Sequence, residues 1–177
     1  GFAAENSAAQ NSSPFTLTGL GDPVQIFGGR LTSNYFDLLG VRPILGRNFL
    51  PEEEESADVA LVTKDFWQKR SGGDPNVIGR SIILDGTPHT IVGVMPLDVD
   101  YPNGVDVWRT TRSVPPTGPF GAAARQEVNL IARLQPDVTI AQVRSELGTL
   151  IERLDANAPP NVPRGLKPVV RSFEDVV

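Results

Sequence analysis

The stretch "SIILDGTPHTIVGVM", from Ser81 to Met95, constrains the fold more than any other part of the chain. Asp85-Gly86 suits the two-residue type I′ turn, which needs a positive φ at both positions and whose twist matches that of the strands it joins. With those two residues as the loop, Leu84 faces Thr87 and Ile82 faces His89. Ile82, Leu84 and Ile91 then share one face with the imidazole, so His89 reads as a cross-strand packing residue. The 17 glycines and 16 prolines in 177 residues extend the inference to the whole chain: many short elements joined by turns, in a mixed fold rich in strands.

Upstream, Gly1 to Pro14 is mostly Ala, Asn, Ser and Gln without an apolar period and is expected to be a loop or frayed end. "FTLT" and "VQIFGGRL" flank the turn-forming "GLGDP" and predict a hairpin, with Gly28-Gly29 suggesting a bulge. Ser33 is placed to cap a short helix covered by Tyr35, Phe36, Leu38 and Leu39 and stopped by Gly40. Val41 to Phe49 reads as extended chain, and the glutamates Glu52 to Glu55 as a solvated loop, because adjacent carboxylates repel.

"DVALVT" predicts a buried strand, and Thr63 a cap for "KDFWQKR", whose Asp65 and Lys69/Arg70 suit the two ends of the helix dipole. A short strand follows at Val105 to Arg109, and Ser113 to Glu127 reads as an irregular connection. Val128 to Leu134 alternates as a strand does. Thr139 and Gln142 form a capping box for a helix whose apolar stripe is Ile140, Val143, Leu147, Leu150, Ile151 and Leu154. Leu166 to Ser172 reads as the returning strand of a βαβ unit.

Charge and composition then narrow the function. The net charge of −5, with 16 Lys and Arg that form no block, argues against a nucleic-acid groove. The absence of cysteine excludes disulfides, thiolate metal sites and a cysteine nucleophile. No run approaches the roughly 18 to 20 apolar residues that span a bilayer. A start at Gly1 and a half-apolar run from Phe173 to Val177 are what a piece cut from a longer chain would show. A nucleophile elbow, a zinc-protease helix, a phosphate-binding loop and a dinucleotide fingerprint are all missing from the sequence. With one histidine, only His89 could serve a serine triad. Glu52 to Glu55 could be imagined as a calcium or magnesium site or as a glycosidase acid and base, but contiguous acids point in different directions. Trp67 and Trp108 could line a sugar or peptide groove; each flanks an apolar segment and is expected in the core. No catalytic, cofactor-binding or metal residue is therefore expected.

"TSNYFDLLGVRPILGRNF", "VALVTKDFWQKRSGGDPNVIGRSIILDGTPHTIVGVMP" and "VDVWRT" resemble the MacB-like periplasmic core domain of ABC-transporter permeases of the MacB and FtsX type. The form with "FWQKRSGGDPNVIG" is similar to the duplicated orphan permeases of acidobacteria, and "LIARLQPDVTIAQVRSELGTLIERL" matches the family's C-terminal strand and helix. The resemblance implies a non-catalytic, extracytoplasmic (periplasmic) domain set between the first two membrane helices of an inner-membrane permease. It implies an α+β fold in which a porter-like βαβ subdomain joins a strand-rich, sabre-like one. The expected partition is residues 1–40 for the N-terminal part of the porter-like subdomain, 41–127 for the sabre-like one and 128–177 for the C-terminal βαβ unit. The implied partners are the permease's own membrane helices, a separate cytoplasmic ATPase, and a second permease copy or a periplasmic protein; no cofactor is implied. An independent hydrolase with paired carboxylates, or a free-standing extracytoplasmic ligand-binding module, are the alternatives.

Overall fold

The structure, a computed structural model, describes residues 4–19, 21–56, 58–96, 104–110, 129–157 and 169–172. Strand β1 (Ala4–Thr18) runs antiparallel to β2 (Val24–Leu31), in register from Gln10↔Leu31 to Leu17↔Val24. Helix α1 (Tyr35–Leu39), strand β3 (Leu45–Gly46) and the single turn α2 (Glu53–Ser56) precede β4 (Val59–Thr63) and helix α3 (Lys64–Ser71). A 3-10 turn at Pro75–Val77 leads to β5 (Ser81–Leu84), β6 (Thr87–Met95) and β7 (Val107–Thr110). Strand β8 (Asn129–Leu134) and helix α4 (Ile140–Asn157) follow.

The chain divides into two compact units. One holds residues 8–113 and 128–130, and the described part of the other comprises residues 4–7, 131–157 and 169–172.

In the larger unit the pairings run β2-β7-β4-β6-β5-β1, and β1 pairs again with β2, so six strands close a circuit that leaves none of them with a free edge along its whole length. Two of the pairings, β2–β7 and β4–β6, are parallel and the others antiparallel, which makes the sheet mixed and the class α+β. Inside the circuit lie Phe15, Leu17, Ile26, Ala60, Val62, Ile82, Leu84, Ile91, Val94 and Val107, all buried. The other face of β4 and β7, and of the C-terminal half of β2, is covered too. Leu31, Leu61 and Trp108 are fully buried along with Tyr35 and Phe36 of α1, and Phe36 meets Trp108 edge-on at 5.2 Å. Burial on both faces explains why "VALV" carries no alternation.

Local chemistry places several of these elements. Asp85 and Gly86 take φ of 50° and 81°, and Ile82 pairs with His89 and Leu84 with Thr87, as the type I′ turn dictates. Thr63 caps α3, its Oγ1 accepting from Phe66 N at 3.1 Å, and Gly72 ends that helix at φ 61°. Gly40 ends α1 in the same way, but the residue at its N-cap is Asn34, which makes no side-chain cap; Ser33 instead donates its backbone N–H to Glu54.

Two further expectations yield to longer-range packing. The polar segment expected as a frayed start is strand from Ala4 onward, because strand pairing uses the backbone and β2 supplies a partner for residues 10–17. The glycine pair does not bulge, since the β1–β2 register is continuous through Ser13↔Gly28 and Ser12↔Gly29. Both glycines make room for rings: a Cβ on Gly28 would stand 2.1 Å from Phe15 and one on Gly29 2.6 Å from Trp108. The bulge lies in β6 instead, where Val92 is the extra residue between Ala60↔Ile91 and Leu61↔Gly93.

In the smaller unit the capping box forms as drawn, with Gln142 N donating to Thr139 Oγ1 at 3.3 Å and Thr139 N to Gln142 Oε1 at 2.8 Å. Of the expected stripe, Val143 is buried, Ile140, Leu147 and Ile151 are half-buried and Leu150 is exposed. The returning strand expected over Leu166–Ser172 is not formed in residues 169–172, where Val170 O accepts from Arg144 Nη2 at 2.9 Å; residues 166–168 lie outside the described residues. So does the connection expected over Ser113–Glu127. Residues 8–40 belong to the larger unit, held there by the pairing of β2 with β7 and of β1 with β5.

Candidate functional site

The acidic run is folded and partly buried. Glu53 begins α2, is nearly inaccessible, and faces Arg47 in a two-pronged contact, with Nη2 at 2.6 Å from Oε1 and Nη1 at 2.9 Å from Oε2. Its Oε2 also accepts Leu50 N at 2.8 Å, and its backbone carbonyl accepts Thr110 Oγ1 of β7 at 3.0 Å. Glu54 takes the N–H of Ser33. The two glutamates thus tie three segments together, and the solvated loop expected here is a latch. The hydrogen bonds from Arg47 hold the Glu53 carboxyl below the usual glutamate range, with Leu50 N adding to the effect. A proton-donating carboxylic acid needs the opposite shift.

His89 is buried against the hairpin, its Nδ1 2.9 Å from Thr87 O, and desolvation lowers its pKa, so it is neutral at pH 7. No serine hydroxyl is hydrogen-bonded to it among the described residues. Trp67 donates Nε1 to Asp74 O at 2.8 Å, which ties α3 to the following turn, and Trp108 is fully buried. Trp67 is half-buried and packs against the core cluster. Among the described residues no three His, Asp or Glu side chains are grouped to hold a metal, and no helix is long and apolar enough to cross a membrane.

One group of charged residues was missed by the sequence reading. Arg30 of β2 and Arg109 of β7 are register partners in the parallel pair, where cross-strand side chains of like charge repel. They sit on the interior-facing side of their strands, in the alternation that points Ile26 and Val107 into the core. Both half-buried guanidiniums converge on the Phe15 ring, with Cζ at 4.3 Å from its centroid for Arg109 and 5.8 Å for Arg30. Burial, then the charge of Arg30, lowers the pKa of Arg109. Among the described residues neither arginine has an ion-pair partner, whereas Arg47, Lys69 and Arg80 each have one. The pairing of two strands far apart in sequence creates this juxtaposition, and no local pattern in either strand signals it.

The geometry therefore defines a mixed-sheet α+β domain in which Glu53 and Glu54 link segments, His89 and Trp108 are buried, and Trp67 ties α3 to the following turn. The sequence matches the family model of the MacB-like periplasmic core domain over residues 3–150. The structure resembles the periplasmic region of MacB from Actinobacillus actinomycetemcomitans, with a TM-score of 0.68 at 16% identity over 86% of this chain and 68% of that one. It also resembles the extracellular domain of the noncanonic ABC-type transporter YknZ from Gram-positive bacteria, with a TM-score of 0.66 at 15% identity over 88% of this chain and 76% of that one. No curated protein matches significantly by sequence. The chain belongs to the MacB-like periplasmic core domain family. It is an extracytoplasmic domain of a MacB-type ABC transporter permease.

Proposed function

We propose that this domain performs no chemistry and works as a mechanical element. It carries conformational change between the permease's membrane helices, driven by a separate cytoplasmic ATPase, and an export substrate or partner outside the membrane. The observation that carries this reading is the closed six-strand circuit with a filled interior. Such a unit resists shear and bending, because every strand is hydrogen-bonded to neighbours and the core is close-packed. A rigid body of this kind transmits displacement instead of absorbing it. The latch around Glu53 supports the same reading, since it fixes the α2 turn to β7 and to the chain entering α1.

We assign the larger unit to the strand-rich, sabre-like part and the unit that contains α4 to the porter-like part.

The isolated domain, offered glycoside and ester substrates, is expected to show no turnover. In the full-length permease reconstituted with its ATPase, replacing the domain with a flexible linker is expected to leave basal ATP hydrolysis and abolish transport. Hydrolysis by the isolated domain that disappears in Glu53→Gln would overturn the proposal in favour of a carboxylate enzyme.

A further inference from the structure

We infer that Arg30 and Arg109, laid over Phe15, form a binding site for a phosphate-type oxyanion. Two guanidiniums that are register partners across a strand pair and share one aromatic ring are an unfavourable arrangement unless something negative joins them. Neither has a hydrogen-bonding partner among the described residues, although arginine carries five donors and is seldom half-buried without using them.

The ring explains how the pair is held. Stacking on an aromatic ring restrains a guanidinium while leaving its N–H edges available, the pre-organisation that two-pronged oxyanion binding uses; Arg109 is the closer of the two to the ring. Phe15 is itself immobilised, being fully buried with its ring against Gly28, where a side chain would collide with it. On the far side of Arg109 the β4 register partner is Ala60, whose small side chain takes little space beside the guanidinium.

The surrounding charges suit an anion of high charge. Asp58 and Asp85 act on Arg109 electrostatically, but both are exposed, and Asp85 uses Oδ1 to accept Thr16 N at 2.9 Å. Neither reaches ion-pair distance of Arg109. His89, also within electrostatic range, is neutral and occupied by Thr87 O. Two positive charges thus face the ligand with the nearby carboxylates held away, which favours a multiply charged phosphate over a single carboxylate. The phosphate could be free or the headgroup of an acidic lipid.

The test titrates the domain with inorganic phosphate, against chloride at matched ionic strength, and follows the arginine Nε–H resonances by NMR. Shifts confined to Arg30 and Arg109 are expected, with affinity falling about tenfold or more in Arg30→Gln, the loss that follows from removing one charge-assisted contact. Arg109→Lys keeps the charge and is expected to weaken binding too, because it loses the planar fork; Arg80→Gln, at an exposed pair with Asp74, is expected to bind as the wild type does. A second arm measures cosedimentation with phosphatidylglycerol vesicles against phosphatidylcholine vesicles. Retention on the anionic vesicles that is lost in Arg30→Gln identifies a lipid headgroup, and binding of inorganic phosphate alone identifies a soluble ligand. No shift at either arginine in the wild type, with no selective retention on anionic vesicles, overturns the inference, as does binding undiminished in both variants. Either result leaves the mechanical role untouched, since that role needs no ligand at this position.

Discussion

Replacing Glu53 with alanine removes three hydrogen bonds at once: two from Arg47, at 2.6 and 2.9 Å, and one from Leu50 N at 2.8 Å. The Arg47 side chain is 45% exposed, so its guanidinium regains water and the lost ion pair counts for only about 1 kcal/mol. The backbone N–H of Leu50 loses a charged acceptor in a part-buried place, a further loss of about 1.5 kcal/mol. A total near 2.5 kcal/mol is expected, which for a urea slope of about 2 kcal/mol/M moves the midpoint down by about 1.2 M. Tryptophan fluorescence is the assay, because both tryptophans, Trp67 and Trp108, belong to the unit that contains Glu53.

The pH dependence follows from the direction of the shift. The Glu53 carboxyl titrates lower in the folded state than in the unfolded one, so its contribution is full above the unfolded glutamate value of about 4.3 and is lost as pH falls through the folded value. The gap between wild type and Glu53→Gln, which keeps the shape and removes the charge, should be constant near neutrality and close in acid. An unchanged midpoint for Glu53→Ala at pH 7 would refute the latch, and a Glu53→Gln gap that survives into strong acid would show that charge is not its basis.

Gly28→Ala places a methyl group against the buried Phe15 ring and is expected to lower stability by about 1–3 kcal/mol, with part recovered when Phe15→Leu is added; urea denaturation measures both. Thr139→Ala removes half of the capping box on α4 and should cost about 1 kcal/mol, read from helical circular dichroism because α4 carries no tryptophan. His89 titrates below its unfolded value of about 6.5, so the unfolded state binds the extra proton first and stability falls as pH drops through that window; His89→Asn should flatten this slope in denaturation curves taken from pH 7 to pH 5.

The features legible in the sequence were those whose cause lies within a few residues. The Asp85-Gly86 turn, the Thr63 cap, the Gly40 stop of α1 and the Thr139–Gln142 box all formed where their residue types place them. Glu53 was illegible because its burial depends on Arg47 across a turn and on Thr110 from a strand that arrives much later in the chain. Read alone, four adjacent acids are correctly predicted to repel; the structure separates them by assigning Glu53 to Arg47 and Glu54 to Ser33 N. The glycine pair misled for a related reason. Gly28 and Gly29 are required by rings on β1 and β7, and no local rule distinguishes that from a bulge. Family resemblance carried the extracytoplasmic assignment, which periodicity and composition could not have reached.

The central claim is that the six-strand unit moves as one rigid piece when the permease works. These 177 residues have no cysteine, so spin labels can be placed cleanly at the exposed Gln25→Cys and Gln68→Cys within that unit; a second pair joins Gln68→Cys to a cysteine introduced in a membrane helix of the full-length permease after any other cysteine there is replaced. Pulsed electron–electron distance measurements with and without ATP bound to the partner ATPase should give an unchanged distribution for the first pair and a shifted one for the second. A first pair that changes with nucleotide, or a second that does not, would contradict the account.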